Sequence, residues 1–227
     1  MLDKTSMTMT ILIGFATKQD IVLTADGRTN LLDATGRQVV GDNLQKIFPS
    51  ASKPVAICHH GENIIAGKQI GDQISAFLDI STCRSTVEFV KALREHFDHT
   101  VRATLAESAY RKGCGFWVAG RAGLTPVIYE IFWGRNVQTG SIEFEEKEFR
   151  KCFVLGGDGA GSIAEFKREP IDANYSPNKV KNAKLSYAIK YSDMLYALAT
   201  ARTDVCGGHK HQYLFRQKKW TIEPCRN

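Results

Sequence analysis

The sequence predicts an α+β fold in which two antiparallel β-sheets pack face to face, with helices outside each sheet. The predicted elements run in the order four strands, two helices, four strands, two helices, two strands. Strands that occur in runs, separated by helix pairs, argue against βαβ crossovers and a parallel sheet. A length of 227 residues and a hydrophobic content of 43% suit one domain with a single core.

The first run of strands contains two pairs. Residues 11–16 and 21–25 are apolar and flank the polar stretch "TKQD", which is typical of a β-hairpin. The stretches "NLQKIFPS" and "KPVAICHH" predict a second pair, which Pro49 and Pro54 interrupt.

The following region predicts two helices. Residues 63–78 place their isoleucines, Phe77 and Leu78 on one helical stripe. Residues 86–110 repeat this pattern, with Ser85 or Thr86 as the N-cap and Gly113 as the end.

The second half of the chain repeats the strand-then-helix order. The stretches "GFWVAGR", "PVIYEIFWG", "SIEFEEKEF" and "KCFVLGG" predict strands, and "NVQTGS" predicts a turn. A short helix is expected near residues 162–167 and a longer one at about 179–201. "CGGHKHQYLF" and "KKWTIE" predict the last two strands.

Composition excludes several functional classes. The net charge of +6 is scattered, without the basic stripe that nucleic-acid binding requires. The six cysteines form no Cys-x-x-Cys pair, which indicates reduced thiols in the cytoplasm. There is no signal-peptide core and no apolar run of about 20 residues, so no membrane association is expected. His209 and His211 share a strand face without further ligands, so we expect neither a metal nor another cofactor.

The stretch "TILIGFATKQDIVLTADGRTN", residues 10–30, resembles the start of proteasome β-type subunits and of the related bacterial heat-shock peptidase. "GDNLQKIFP", "CFVLGGDGAGS" and "ARTDVCGGHKHQYLF" resemble three later segments of that family in the same order. The resemblance covers nearly the whole chain. It implies the four-layer αββα Ntn-hydrolase fold for residues 10–227 and the activity of a threonine endopeptidase.

The resemblance also implies catalytic roles. Thr10 would be the nucleophile once its nitrogen is a free amine, because an α-amino group titrates near pKa 7.7–8.0 and can act as the base. Lys46 would hold positive potential beside the hydroxyl, and Asp26 would pair with Lys46. Asp158 and Asp204 would complete the catalytic set. Arg28, Cys206 and Gly207 would support the catalytic residues. A backbone N–H of His60 or Gly61 would bind the oxyanion.

Substrate contacts are expected on two segments. Thr29 and Asn30 would pair with the substrate backbone as an added strand. Leu44, Cys58 and Glu62 would line the first specificity pocket, where a carboxylate favours basic side chains before the cut bond. Alternatively, Glu62 is a carboxylate at the start of a helix, where it interacts with the helix dipole.

Thr10 is internal in the sequence, so residues 1–9 are expected to be a leader or propeptide. Initiation at Met9 and removal of that methionine would also expose Thr10. The chain departs from the family pattern at Asp158, where the family has serine, at Cys206, which also replaces serine, and at His60, where it prefers glycine. Thr203 takes the register of the family's later aspartate, one residue before Asp204. These departures are compatible with an inactive or divergent subunit.

Two alternatives therefore stand beside the peptidase: a non-catalytic ring subunit with the same fold, and a small-molecule amidase with the same nucleophile. The resemblance implies a peptide or unfolded protein as substrate, self-association in rings, and an ATPase unfoldase as a further partner. The apolar stripes of residues 63–78 and 86–110 favour ring contacts, although each stripe could simply cover its own sheet.

Overall fold

The computed structural model describes residues 7–8, 10–33, 36–107, 113–157, 183–203, 206–217 and 219–222. This part of the chain forms two main antiparallel sheets and three helices, which confirms the predicted pair of sheets. The short helix expected near residues 162–167 lies outside the described residues, as do Asp158 and Asp204.

The larger sheet has six strands. They are β1 (Met7–Thr8), β6 (Ile47–Pro49), β7 (Ala56–Glu62), β10 (Gly113–Ala122), β11 (Thr125–Arg135) and β12 (Ile142–Phe149). Their order is β1-β7-β10-β11-β12, and β6 pairs with β7. The pair predicted around Pro49 and Pro54 is therefore present as β6 and β7.

The second sheet has five strands in the order β13-β2-β3-β14-β15. They are β2 (Leu12–Ala16), β3 (Ile21–Asp26), β13 (Cys152–Gly156), β14 (Lys210–Arg216) and β15 (Lys219–Ile222). Two small hairpins lie outside the sheets. They pair β4 (Thr29–Asp33) with β5 (Gly36–Gly41), and β8 (Ile64–Ile65) with β9 (Lys68–Gln69).

The helices are α1 (Ile70–Ile80), α2 (Thr86–Ala106) and α3 (Leu185–Arg202). Ser85 caps α2, and its hydroxyl accepts from the Glu88 amide at 3.2 Å. The predicted helix over residues 63–78 is wrong in its first half. Residues 64–69 form a hairpin instead, because Ala66 and Gly67 adopt positive φ angles of 49° and 74° that make a tight turn.

Buried side chains form three clusters. One lies between α1, α2 and the six-stranded sheet, one between the two sheets, and one between α3 and the five-stranded sheet. The apolar stripes of α1 and α2 are therefore buried against their own sheet, and the stripes do not by themselves indicate contacts with a second chain. No helix in the described ranges is both long and apolar enough to cross a bilayer.

Candidate active site

Asp26, at the end of β3, is the centre of a buried hydrogen-bond network. Its Oδ1 accepts from the Ile11 amide at 3.0 Å and from Lys46 Nζ at 2.8 Å. Its Oδ2 accepts from the amides of Arg28 at 3.3 Å and Gly207 at 3.1 Å. Four donors therefore converge on one fully buried carboxylate.

Lys46 is fully buried just before β6, so its ammonium group has left water. Nζ donates to Asp26 Oδ1 and to the carbonyl of Arg28, both at 2.8 Å. Burial lowers the pKa of Lys46, while the negative charge of Asp26 acts in the opposite direction. The ion pair expected from the sequence is present, and together with the amide donors to Asp26 and the Arg28 carbonyl it offsets the desolvation of both groups.

Thr10 precedes β2 and is fully buried. The amide of the next residue, Ile11, and Lys46 Nζ share one oxygen of Asp26, so Thr10 lies within one residue of the ion pair. The carbonyl of Thr10 approaches Gly157 so closely that a side chain at Gly157 would collide with it. The structure thus brings together Thr10, Asp26 and Lys46.

The short strand β1 lies against β7, the strand that carries the expected oxyanion residues. In β1, Met7 is opposite Glu62 and Thr8 is opposite Gly61 in β7. The same short strand lies beside β4, which begins with Thr29 and Asn30. β1 therefore lies between Thr29–Asn30, which are predicted to pair with a substrate backbone, and the strand that carries the predicted pocket residue Glu62.

Arg28 connects this region to the loop before β14. Its Nε donates to Asp42 Oδ1 at 2.8 Å, and a terminal nitrogen donates to the carbonyl of Cys206 at 3.4 Å. The hydrogen bond to Asp42 raises the pKa of Arg28. Gly207 lies against the guanidinium, where a Cβ would be 2.9 Å from Cζ. Asp42 had been given no role, although it lies in the stretch "GDNLQKIFP" that resembles the family.

Gly61, one of the two expected oxyanion residues, has a φ of +88°. A Cβ at this position would collide with the carbonyl of Gly113 on the neighbouring strand, so only glycine fits here. His60 lies beside it, with a buried side chain.

The expected pocket residues are mostly enclosed. Leu44 is partly exposed, whereas Cys58 lies in the cluster between the sheets and Glu62 is only 2% exposed. Burial, followed by the charge of Glu62, raises the pKa of Cys114. The alternative role of Glu62 at a helix start is wrong, because α1 begins only at Ile70.

His59 is a buried group that the sequence did not mark. It packs 5.9 Å from the ring of Phe48, and its amide donates to the carbonyl of Lys46 at 3.1 Å. Neither ring nitrogen has a hydrogen-bond partner among the described residues. Burial first, and then the charges of Lys46 and His60, lower the pKa of His59 to about 3. The His59 ring is therefore neutral in the folded protein near neutral pH.

The paired histidines of β14 have their rings 4.9 Å apart. Within the described part of the chain, His, Cys, Asp and Glu form no group of three that could hold a metal ion. No protein-family model matches the sequence, and no curated protein shows significant similarity to it.

Proposed function

We propose that this chain is a proteasome-like threonine endopeptidase with the four-layer αββα Ntn-hydrolase fold, and that its structure represents the form that still carries its leader. One observation carries the proposal. Asp26 Oδ1 binds both the ammonium of buried Lys46 and the amide that follows Thr10. A fully buried ion pair is expensive to maintain, and its position beside a threonine favours a catalytic role.

The chemistry follows from these positions. The hydroxyl oxygen of Thr10 adds to the substrate carbonyl, and the free α-amine of Thr10 takes its proton. Lys46 favours loss of that proton, and the Gly61 amide stabilises the oxyanion. The amine then protonates the leaving nitrogen, which leaves an ester on Thr10. Water hydrolyses this ester and restores the hydroxyl.

The free amine requires that Thr10 become the first residue. Removal of residues 1–9 would expose the amine and would also vacate the space between β4 and β7 that β1 now fills. Both changes are needed before a substrate can bind and react. The leader-bearing chain is therefore expected to be inert.

A fluorogenic peptide assay tests the proposal on the full-length chain and on a form that begins at Thr10. The Thr10-initiated form should cleave peptides, Thr10→Ser should retain some rate, and Thr10→Ala and Lys46→Ala should abolish turnover. Lys91→Ala is the matched control, because the Lys91 side chain is 79% exposed on α2. The Thr10-initiated form should also gain the mass of a threonine-reactive epoxyketone. A correctly trimmed protein that forms no such adduct would contradict the catalytic proposal.

A non-catalytic subunit is the second candidate, and one observation favours it. Thr10 is fully buried, and the strand before it is paired onto β7. A protein whose intact mass keeps residues 1–9 after expression in its native host, with no form that reacts, would support this reading. Turnover of small amides but not of peptides would instead indicate the amidase.

Assembly and specificity belong to the same proposal. We expect a homo-oligomer, in rings or stacked rings, that acts on peptides or unfolded proteins in the cytoplasm, with an ATPase unfoldase as a further partner. Sedimentation that shows only the 25.3 kDa monomer at micromolar concentration would exclude the rings. If buried Glu62 becomes accessible when β1 leaves, cleavage after Lys or Arg should be preferred and should weaken in Glu62→Gln.

A further inference from the structure

The His60 side chain is enclosed at the end of β7 because the neighbouring strand carries glycine there. The imidazole is stacked on Phe132, with ring centroids 5.8 Å apart and planes 11° from parallel. Gly115 is opposite His60 in the sheet, and a Cβ on Gly115 would overlap the imidazole. The absence of a side chain at Gly115 therefore provides the space that the imidazole occupies.

Glu130 lies next to that ring. Its Oε1 is 3.7 Å from His60 Nε2, which is an electrostatic contact too long for a hydrogen bond, and it accepts from Trp117 Nε1 at 3.0 Å. Burial acts to raise the pKa of Glu130, but the neighbouring His60 and Trp117 outweigh it, so the net pKa is lowered. The carboxylate therefore stays ionised near neutral pH.

Trp117 extends this contact to the other sheet. Its indole is fully buried against Gly14 in β2 and Gly156 in β13, where added Cβ atoms would lie 3.0 and 2.6 Å from the ring. β2 begins just after Thr10, and Gly156 is followed by the glycine that contacts the Thr10 carbonyl. The indole thus touches both segments that hold Thr10.

We propose that Glu130 is a positioning residue, which fixes the His60–Gly61 backbone relative to Thr10 by contacting His60 and Trp117 with one oxygen. The two sheets each carry one half of the candidate site. Glu130 links His60 to Trp117 within the six-stranded sheet, and the Trp117 indole reaches the other sheet. An oxyanion donor is effective only when it is held in place before the reaction, so loosening this contact weakens oxyanion binding. This inference rests on the proposed function.

The test compares two ligands with the same peptide sequence on the Thr10-initiated protein. With a peptide aldehyde, the Thr10 oxygen adds to the aldehyde carbon and the hydroxyl proton ends on the aldehyde oxygen, giving a hemiacetal with no leaving group. The matching peptide amide binds without this step. Glu130→Ala is expected to weaken aldehyde binding by about tenfold or more, with amide binding changed by less than about threefold.

Two further variants complete the comparison. Glu130→Gln keeps an acceptor for Trp117 and should recover most of the aldehyde affinity. Glu146→Ala removes an exposed carboxylate from neighbouring β12 and should leave both ligands unaffected. A Glu130→Ala protein that loses both affinities equally, or neither, overturns the proposal. A wild-type protein that binds the amide but forms no hemiacetal instead overturns the proposed function.

An NMR measurement on the full-length chain tests the positioning without any activity. Glu130→Ala should move the amide resonances of His60 and Gly61 and the indole N–H resonance of Trp117. Glu146→Ala should leave all three in place. An unmoved Gly61 amide in Glu130→Ala overturns the proposal, whatever the ligand results are.

Discussion

Acid should destabilise the protein through His59, which is fully buried and whose amide donates to the Lys46 carbonyl. The pKa of this imidazole is lowered from 6.5 to about 3 by burial and by the charges of Lys46 and His60. In the unfolded chain His59 binds a proton near pH 6.5, whereas in the folded chain it does not until about pH 3. Its contribution to stability is therefore fully present above pH 6.5 and is lost as the pH falls toward 3.

The magnitude follows from the two pKa values. Between pH 7.5 and pH 5, protonation of the unfolded state alone should reduce the free energy of unfolding by about 2 kcal/mol. Solvent does not screen the His59 ring, because it is fully buried. This loss is a substantial fraction of the typical stability of about 5–15 kcal/mol for a folded domain.

Urea denaturation at both pH values measures the effect in the wild type and in His59→Leu. The comparison uses the change with pH within each protein, so the packing effect of leucine cancels. The pH-dependent loss should be smaller in His59→Leu by about 2 kcal/mol, and His59→Gln, which also cannot titrate, should behave alike. His99→Leu, at an exposed position of α2, is the control. An equal pH dependence in wild type and His59→Leu would refute the reasoning.

Three further predictions concern stability in urea. Gly156→Ala should lower the free energy of unfolding by about 1–3 kcal/mol, because the new Cβ would lie 2.6 Å from an indole ring. Gly41→Ala is the control and should change the free energy little, because no atom lies within 4 Å of a Cβ there. Equal effects of the two substitutions would contradict the packing around Gly156. Asp26→Ala should lower the free energy of unfolding by about 3–5 kcal/mol, because it leaves three amides and an ammonium without their shared acceptor. The loss should exceed that of Lys46→Met, and the reverse order would be inconsistent with this network. Ser85→Ala should cost about 1 kcal/mol through loss of the α2 cap, and an unchanged midpoint would show that the cap is dispensable.

The hairpin of β2 and β3 could be predicted because its alternation and its polar turn are local. The helix over residues 63–78 was wrong in its first half because Ile64 and Ile65 fit a helical period as well as a strand. Only the turn glycine Gly67 distinguished the two, and a single glycine is a weak signal. Periodicity also missed the hairpin of β4 and β5.

The candidate site was predictable only in part. The partnership of Asp26 with Lys46 came from a family resemblance, since no spacing rule joins residues on two separate segments of the chain. The buried state of His59 depends on Phe48 and Lys46, which precede it in a separate segment. The link from His60 through Glu130 to Trp117 crosses three strands, and sequence order gives no indication of it.

Under the proposed function, the pairing of β1 also determines how inhibitors of this protein can be discovered. Because Met7 and Thr8 are paired onto β7, a fusion partner attached to the amino terminus extends the chain that leads into β1. A compound library screened against such a fusion protein would then meet a proposed substrate site that the protein's own chain already occupies. Such a screen would select compounds for other surfaces and would miss the ligands that compete with β1.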